Sequence, residues 1–181
     1  RLGYDFWALG HVHTREKIDS DCPIWFSGNI QGRHIRESGE KGCSLVTVSE
    51  AGKCSVEFVA LDVVRWVQME IDCSKLNELE DIYEYFRTQL TNATQDAENR
   101  TLAVRVILNG ECSVHSEIAS DTSSVANQLR ALASDIGSDI WVEKTVFRTS
   151  ADFDDSGDID PDSPIGELHD IIASIKGDTA A

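Results

Sequence analysis

The chain has 181 residues, 41% of them hydrophobic, with 16 Lys or Arg against 32 Asp or Glu and a formal net charge of −16. That length can bury a sizeable core in one large domain or two small ones, and the sequence holds neither an apolar run long enough to span a bilayer nor a secretory signal pattern at its start. A balance this acidic argues against nucleic-acid binding through the overall field of the molecule.

The distribution of charge qualifies that exclusion. Residues 1–61 hold seven basic and eight acidic side chains, residues 62–150 eight and fifteen, and residues 151–181 one and nine. The first third is near neutral, and acidity elsewhere does not forbid a local anion site there. The five cysteines, Cys22, Cys43, Cys54, Cys73 and Cys112, are scattered and form no CxxC pair. Neither a disulfide framework nor a zinc ribbon is indicated, so the expectation is a reducing cytoplasm and buried structural thiols at all five positions. Arg1 stands just ahead of a strand-like run, which sets the further expectation of a fragment whose N-terminal part is missing.

In chain order, Phe6-Trp7-Ala8-Leu9 reads as a buried strand, Gly10-His11-Val12-His13 as its end, and Thr14-Arg15-Glu16-Lys17 as a charged loop. Ile24-Trp25-Phe26 is a short apolar strand stopped by Ser27-Gly28-Asn29, and a loop containing Arg33, His34 and Arg36 follows. Residues 42–48 and 55–61 flank Ser49-Glu50-Ala51-Gly52-Lys53, a hairpin signal. Residues 1–61 contain no convincing helix.

A boundary falls near Asp62. Residues 64–71 are strand-like, Ser74 can cap a helix, and Leu76, Leu79, Ile82, Tyr83, Phe86 and Leu90 share one helical face that the polar stretch 92–100 ends. Residues 102–108 form a strand closed by the turn dipeptide Asn109-Gly110. Val125, Leu129, Leu132, Ala133 and Ile136 mark a second helix stopped by Gly137, and the last strand covers residues 140–147. The order βαβαβ describes a small domain able to fold on its own.

Residues 151–163 are an acidic linker. Asp152, Asp154, Ser156, Gly157 and Ile159 imitate an EF-hand loop, but the closing bidentate position falls on Ser163. A final amphipathic helix over 164–176 carries the stripe Ile165, Leu168, Ile171, Ile172 and Ile175, which packs on its own domain or docks on a partner.

Two histidines two residues apart at a strand end would put both imidazoles on one face, with Cα atoms roughly 6.5 Å apart. That suits one metal or a pair about 3.5–4 Å apart, a device of phosphoester chemistry; a chance pair at a strand end is the alternative. Asn29, Arg33, His34 and Arg36 lie in a stretch with no acidic residue between Pro23 and Arg36. Backbone amides and guanidinium groups there could hold phosphate, or the arginines could pair with Glu37 and Glu40.

Residues 4–13, ending in GHVH, then Ser27-Gly28-Asn29-Ile30-Gln31-Gly32-Arg33-His34, then Glu40-Lys41-Gly42-Cys43, resemble the end of the nuclease domain of bacterial DNA repair exonucleases of the SbcD type. These belong to the calcineurin-like metallophosphoesterases, and the resemblance continues through Asp62-Val63-Val64-Arg65-Trp66 into a capping domain. It implies a mixed α/β (α+β) chain. Residues 1–62 would be the β-rich C-terminal part of a metallophosphoesterase sandwich and 63–150 a βαβαβ DNA-binding cap, followed by the linker 151–163 and the tail helix 164–176. It implies two divalent ions, usually manganese, with His11 on the second and His13 on the first. The family's other metal motifs and its general acid are not in this chain, so no catalytic residue is assigned and the fragment alone is expected to be inactive. The implied partners are DNA and, through the tail, a coiled-coil SMC-like ATPase subunit, with a homodimer as one assembly of the full-length protein. Two rival readings stand beside this one: a phosphoesterase for small phosphorylated substrates, and a non-catalytic αβ binding module with a structural HxH.

Overall fold

Short apolar runs interrupted by Pro23 and by glycines can make only short strands, and the first part of the chain is built from such pieces. A computed structural model of the protein describes residues 3–18, 22–152, 166 and 171, and the chain divides into two compact units, Arg1–Ala151 and Asp152–Ala181. In the first unit β1 (Trp7–Leu9), β2 (Glu16–Ile18) and β3 (Ile24–Phe26) form a sheet in the order β1-β3-β2, with β1 parallel and β2 antiparallel to β3.

Two expectations change here. Glu16 and Lys17 belong to a strand instead of a loop, because their backbone pairs with Phe26 and Trp25 while their charged side chains stay in water. β1 is only partly covered, with Ala8 exposed, so it is not deep in a core. Arg15 does not drift in solvent either: its guanidinium carbon lies 4.3 Å from the Trp25 ring centre and 5.1 Å from that of Phe58, a cation–π sandwich.

The hairpin is as expected, β4 (Gly42–Val48) against β5 (Cys54–Ala60) around a turn with Gly52 at φ 77. Before it, Ile35–Glu37 make one turn of 3-10 helix, the only helical turn before Asp62 among the described residues.

The rest of the unit is β6 (Val64–Asp72), α1 (Leu79–Asp96), β7 (Thr101–Cys112), α2 (His115–Ser120), α3 (Thr122–Ile136) and β8 (Ile140–Ala151). The three strands are parallel in the order β6-β7-β8, as helical crossovers require. This is a mixed α/β fold with several sheets and few helices. Ile82, Phe86 and Leu90 recur every four residues on α1 and are buried with Val125, Leu129, Leu132 and Ala133 of α3 against Met69, Ile71, Leu102, Val104, Val106, Leu108 and Val142. Each large side chain there contributes about 1.5–3 kcal/mol.

Local details differ from the sequence reading. Ser74 caps no helix; it lies in a 3-10 turn, Cys73–Lys75, whose own cap is Asp72, and α1 starts instead with a capping box between Glu78 and Asp81. Asn92 falls inside α1, which runs on to Asp96. Asn109-Gly110 is no turn, since β7 continues through it in register with Arg148 and Thr149 of β8. Of the five cysteines only Cys73 and Cys112 are buried, and burial, with the neighbouring Cys112, pushes the Cys73 thiol up to about 11.

The β-rich half joins the parallel sheet at Asp62. Asp62 is 3% exposed as a residue; its carboxylate accepts hydrogen bonds from Arg65 Nε at 2.9 Å and Nη2 at 3.1 Å, and Arg100 Nε lies 3.2 Å away. The two arginines also donate to the carbonyls of Asp96 and Ala60. Burial alone would raise the Asp62 pKa, but the hydrogen bond and charge of Arg65, with the charge of Arg100, outweigh it and hold the group below its ordinary value.

In the second unit Gly166 and Ile171 have helical backbone and Ile171 is exposed. The rest of the proposed tail helix, with Ile165, Leu168, Ile172 and Ile175, lies outside the described residues, as does the linker beyond Asp152. No helix among the described residues is long and apolar enough to cross a membrane.

Replacing Asp62 by Ala takes the buried carboxylate from two guanidinium groups, leaving Arg65 with Glu40 at 3.4 Å and Arg100 with Glu98 at 2.6 Å, and should lower unfolding stability by about 3 kcal/mol in urea titrations. A loss below about 1 kcal/mol would contradict the joint. Because the folded pKa is depressed, the contribution is complete above the ordinary value of 3.8 and disappears as pH falls through the lower folded value.

Candidate metal centre

The two histidines do not share a strand face. β1 ends at Leu9, and His11 adopts φ 80, a left-handed conformation uncommon outside glycine, so the alternation of a strand does not extend through Gly10-His11-Val12-His13. Such outliers cost about 1–3 kcal/mol and concentrate at functional sites. Both imidazoles are exposed.

The loop carrying His13 is held from the other side by Gly28 and Asn29. The Asn29 amide donates to the His13 carbonyl at 3.1 Å, and Gly28 has φ 76 with its open side against Arg15 N and the His13 carbonyl. The segment that follows is fastened to the parallel sheet. The Gln31 side-chain oxygen accepts from the backbone amides of Val63 and Val64, at 2.8 and 3.2 Å, and its nitrogen donates to the Val64 carbonyl at 2.6 Å. Trp66 Nε1 donates to the Gly32 carbonyl at 3.0 Å, and the Gly39 amide donates to the Trp66 carbonyl at 2.9 Å.

At the centre of this loop sits Glu37, only 8% exposed. Its Oε1 lies 2.7 Å from His13 Nδ1 and 3.1 Å from Arg33 Nη2; its Oε2 accepts from Asn29 Nδ2 at 2.9 Å and from the Arg33 backbone amide at 2.9 Å. The side chain and backbone amide of Arg33, with His13, hold the Glu37 carboxyl far below the usual carboxylate range against the opposing effect of burial.

The structure therefore gathers His13, Asn29 and Arg33 around an acidic residue that the sequence reading used only as a surface ion-pair partner. Arg33 is committed to Glu37, the pairing weighed as the alternative to phosphate binding, whereas Glu40 meets Arg65 at 3.4 Å instead of a loop arginine. His34 and Arg36 point to another place: with Ile35 and Arg105 they line a surface depression of about 280 Å³. The available signal for Glu37 was its position, the first acidic residue after Pro23 and four beyond Arg33.

As a donor set the site is partial. Two neutral imidazoles suit zinc, manganese or iron, and Asn29 Oδ1 is buried without a hydrogen-bond partner. Among the described residues, however, no group of three or more His, Cys, Asp or Glu could hold a metal ion. The chemistry fits a divalent ion; the number of ligands fits one part of its shell.

Residues 66–150, the span of the parallel sheet and its helices, match the family model described as the middle domain of the metallophosphoesterase YhaO. Over 111 residues the chain is 31% identical to a Bacillus subtilis (strain 168) protein named as an uncharacterized metallophosphoesterase, YhaO; the match covers 61% of this chain and 26% of that protein. The similarity supports the metallophosphoesterase superfamily. The chain spans about a quarter of the length of the curated relative it matches.

Gly28→Ala would bring a methyl group to 2.9 Å from Arg15 N and 3.0 Å from the His13 carbonyl in a conformation that L side chains avoid. It should cost about 1–3 kcal/mol in urea unfolding and displace the His13 resonances; wild-type stability with an unmoved His13 would show that this packing does not hold the loop.

Proposed function

We propose that this chain supplies the histidine loop and the cap of a two-metal DNA repair exonuclease that hydrolyses DNA phosphodiesters. The observation that carries the reading is the pair of exposed imidazoles, His11 and His13, on a loop held by Asn29 and Glu37, whose own segment Gln31 and Trp66 fasten to a unit that resembles the YhaO middle domain. Two ions, manganese by the resemblance to SbcD-type nucleases, would take His11 and His13 among their ligands; the remaining ligands and the general acid come from outside these residues. The bound metals supply an activated water and stabilise the leaving oxygen. The chain's own part is to aim the imidazoles and, at Arg36 beside His34, to offer a cation to a phosphate backbone. Residues 63–150 limit which ends can enter, and residues 164–176 dock on a coiled-coil ATPase subunit.

The electrostatics of the cap favour steering over tight binding. Arg65 and Arg100 are tied up at Asp62, Arg105 pairs with Glu143 through two 2.9 Å hydrogen bonds, and Arg87 lies near Glu84. Few cations remain to neutralise phosphates, and phosphate neutralisation supplies most of non-specific DNA affinity. The same observation favours a second reading, a phosphoesterase for smaller phosphorylated substrates.

On the intact protein, calorimetry with Mn2+ should show binding that falls at least tenfold in His11→Ala and in His13→Ala; unchanged binding in both would remove the metal assignment. Hydrolysis of linear duplex DNA in preference to bis(p-nitrophenyl) phosphate supports the nuclease, and the reverse preference supports the second reading. Deleting residues 164–176 should abolish co-purification with the ATPase subunit while leaving the unfolding transition of the cap in place.

A further inference from the structure

We propose that Glu37 is the positioning residue of the metal-binding imidazole: its carboxylate fixes the tautomer of His13 and turns the lone pair of Nε2 outward. The inference rests on the reading of His13 as a ligand and names the group that makes it one.

The argument is one of donors and acceptors. An ionised carboxylate only accepts hydrogen bonds, and a guanidinium only donates them. Glu37 Oε1 and Arg33 Nη2 both approach His13 Nδ1, at 2.7 and 2.9 Å. If Nδ1 carried a lone pair, that pair would face the carboxylate oxygen at 2.7 Å, a repulsive arrangement. If Nδ1 carries the hydrogen, it donates to Oε1, Arg33 Nη2 donates to the same oxygen at 3.1 Å, and the guanidinium and the ring lie side by side. The second arrangement gives both N–H groups an acceptor in Oε1, the shortest contact, and leaves the 2.9 Å approach of Arg33 Nη2 to Nδ1 as a contact between two donors; the first would let Nδ1 accept from Arg33 but set its lone pair against Oε1 at 2.7 Å. A neutral ring protonated at Nδ1 keeps its lone pair on Nε2, and the His13 side chain is 52% exposed, so an outward Nε2 is open to a ligand.

Glu37 can impose this geometry because it cannot follow the ring. It ends the 3-10 turn Ile35–Glu37, with Ile35 buried and the Glu37 amide bonded to the His34 carbonyl at 2.8 Å. Its second oxygen is held by Asn29 Nδ2 and the Arg33 amide. A carboxylate that orients an imidazole by taking its other N–H is a general device for raising ligand basicity and fixing direction. Here it fits a residue whose own backbone lies in an irregular loop and has no strand to orient it.

Glu37→Gln keeps the shape but leaves one acceptor oxygen, which the Asn29 and Arg33 donors claim, so the new NH2 group faces Nδ1 and favours the opposite tautomer. The test uses the intact protein. Side-chain 15N spectra at pH 8 without metal should show His13 protonated at Nδ1 in the wild type and at Nε2 in Glu37→Gln and Glu37→Ala. Mn2+ affinity by calorimetry should fall about 10- to 100-fold in Glu37→Gln, and adding Glu37→Gln to His13→Ala should produce no further loss. The proposal is overturned if the tautomer is the same with and without Glu37, or if the two substitutions add independently. If His13→Ala leaves Mn2+ binding intact, the metal reading fails by itself, and the tautomer spectra still decide whether Glu37 positions the ring. Should Glu37→Ala fold poorly, Glu37→Gln carries both measurements.

Discussion

A carboxylate withdrawn from water must be met by donors or it destabilises the fold by several kcal/mol, and residues 29–65 are arranged around meeting that demand twice. Asp62 is compensated by Arg65 and Arg100, which draw the end of β5, the start of β6 and the end of α1 to one point. Glu37 is compensated by Arg33, Asn29 and His13, which draw the two loops of the candidate site together. One carboxylate makes the joint between the β-rich half and the parallel sheet; the other holds the two loops of the candidate site together. Between them Gln31 substitutes for a strand, using one amide side chain to satisfy backbone groups of Val63 and Val64.

The parallel sheet and its two long helices, α1 and α3, were the legible part of the fold, whereas the short α2 was not, and the reason is periodic. Ile82, Phe86 and Leu90, or Val125, Leu129 and Leu132, repeat at the helical spacing because each must reach the same core, so local pattern and tertiary burial carry the same information. Where non-local pairing decides, the pattern fails. Glu16 and Lys17 look like loop residues until β3 pairs with them, and Asn109-Gly110 has the composition of a turn yet is carried through by its partners on β8. Ser74 lost the helix start to Glu78 for a related reason: the reciprocal bonds with Asp81 satisfy two end groups at once.

The residues of the candidate site stand out in the sequence; their geometry does not. GHVH and the arginine loop stand out in the sequence, but the positive φ of His11 turns the chain where a strand rule would keep it straight. Arg33 and Arg36, three residues apart, read as equals. The 3-10 turn separates them, directing Arg33 to Glu37 and Arg36 to the depression shared with Arg105 of β7. Glu37 itself offers no motif, since its importance comes from a burial that follows only once Trp66 and Gln31 have placed the loop.

That dependence ties the parallel sheet to the candidate site. The loop that presents Glu37 to His13 is bonded to β6 at Gln31, Gly32 and Gly39, three points on either side of the carboxylate. A shift of β6 along its own axis would have to carry these bonds with it, and Glu37 would move relative to His13, whose loop is anchored at Gly28 and Asn29. Hydrogen-bond energies fall steeply with misalignment, so the pairing of Glu37 with His13 depends on where β6 holds this loop. Residues 31–39 therefore link the first strand of the sheet to the imidazole through Gln31, Gly32 and Glu37.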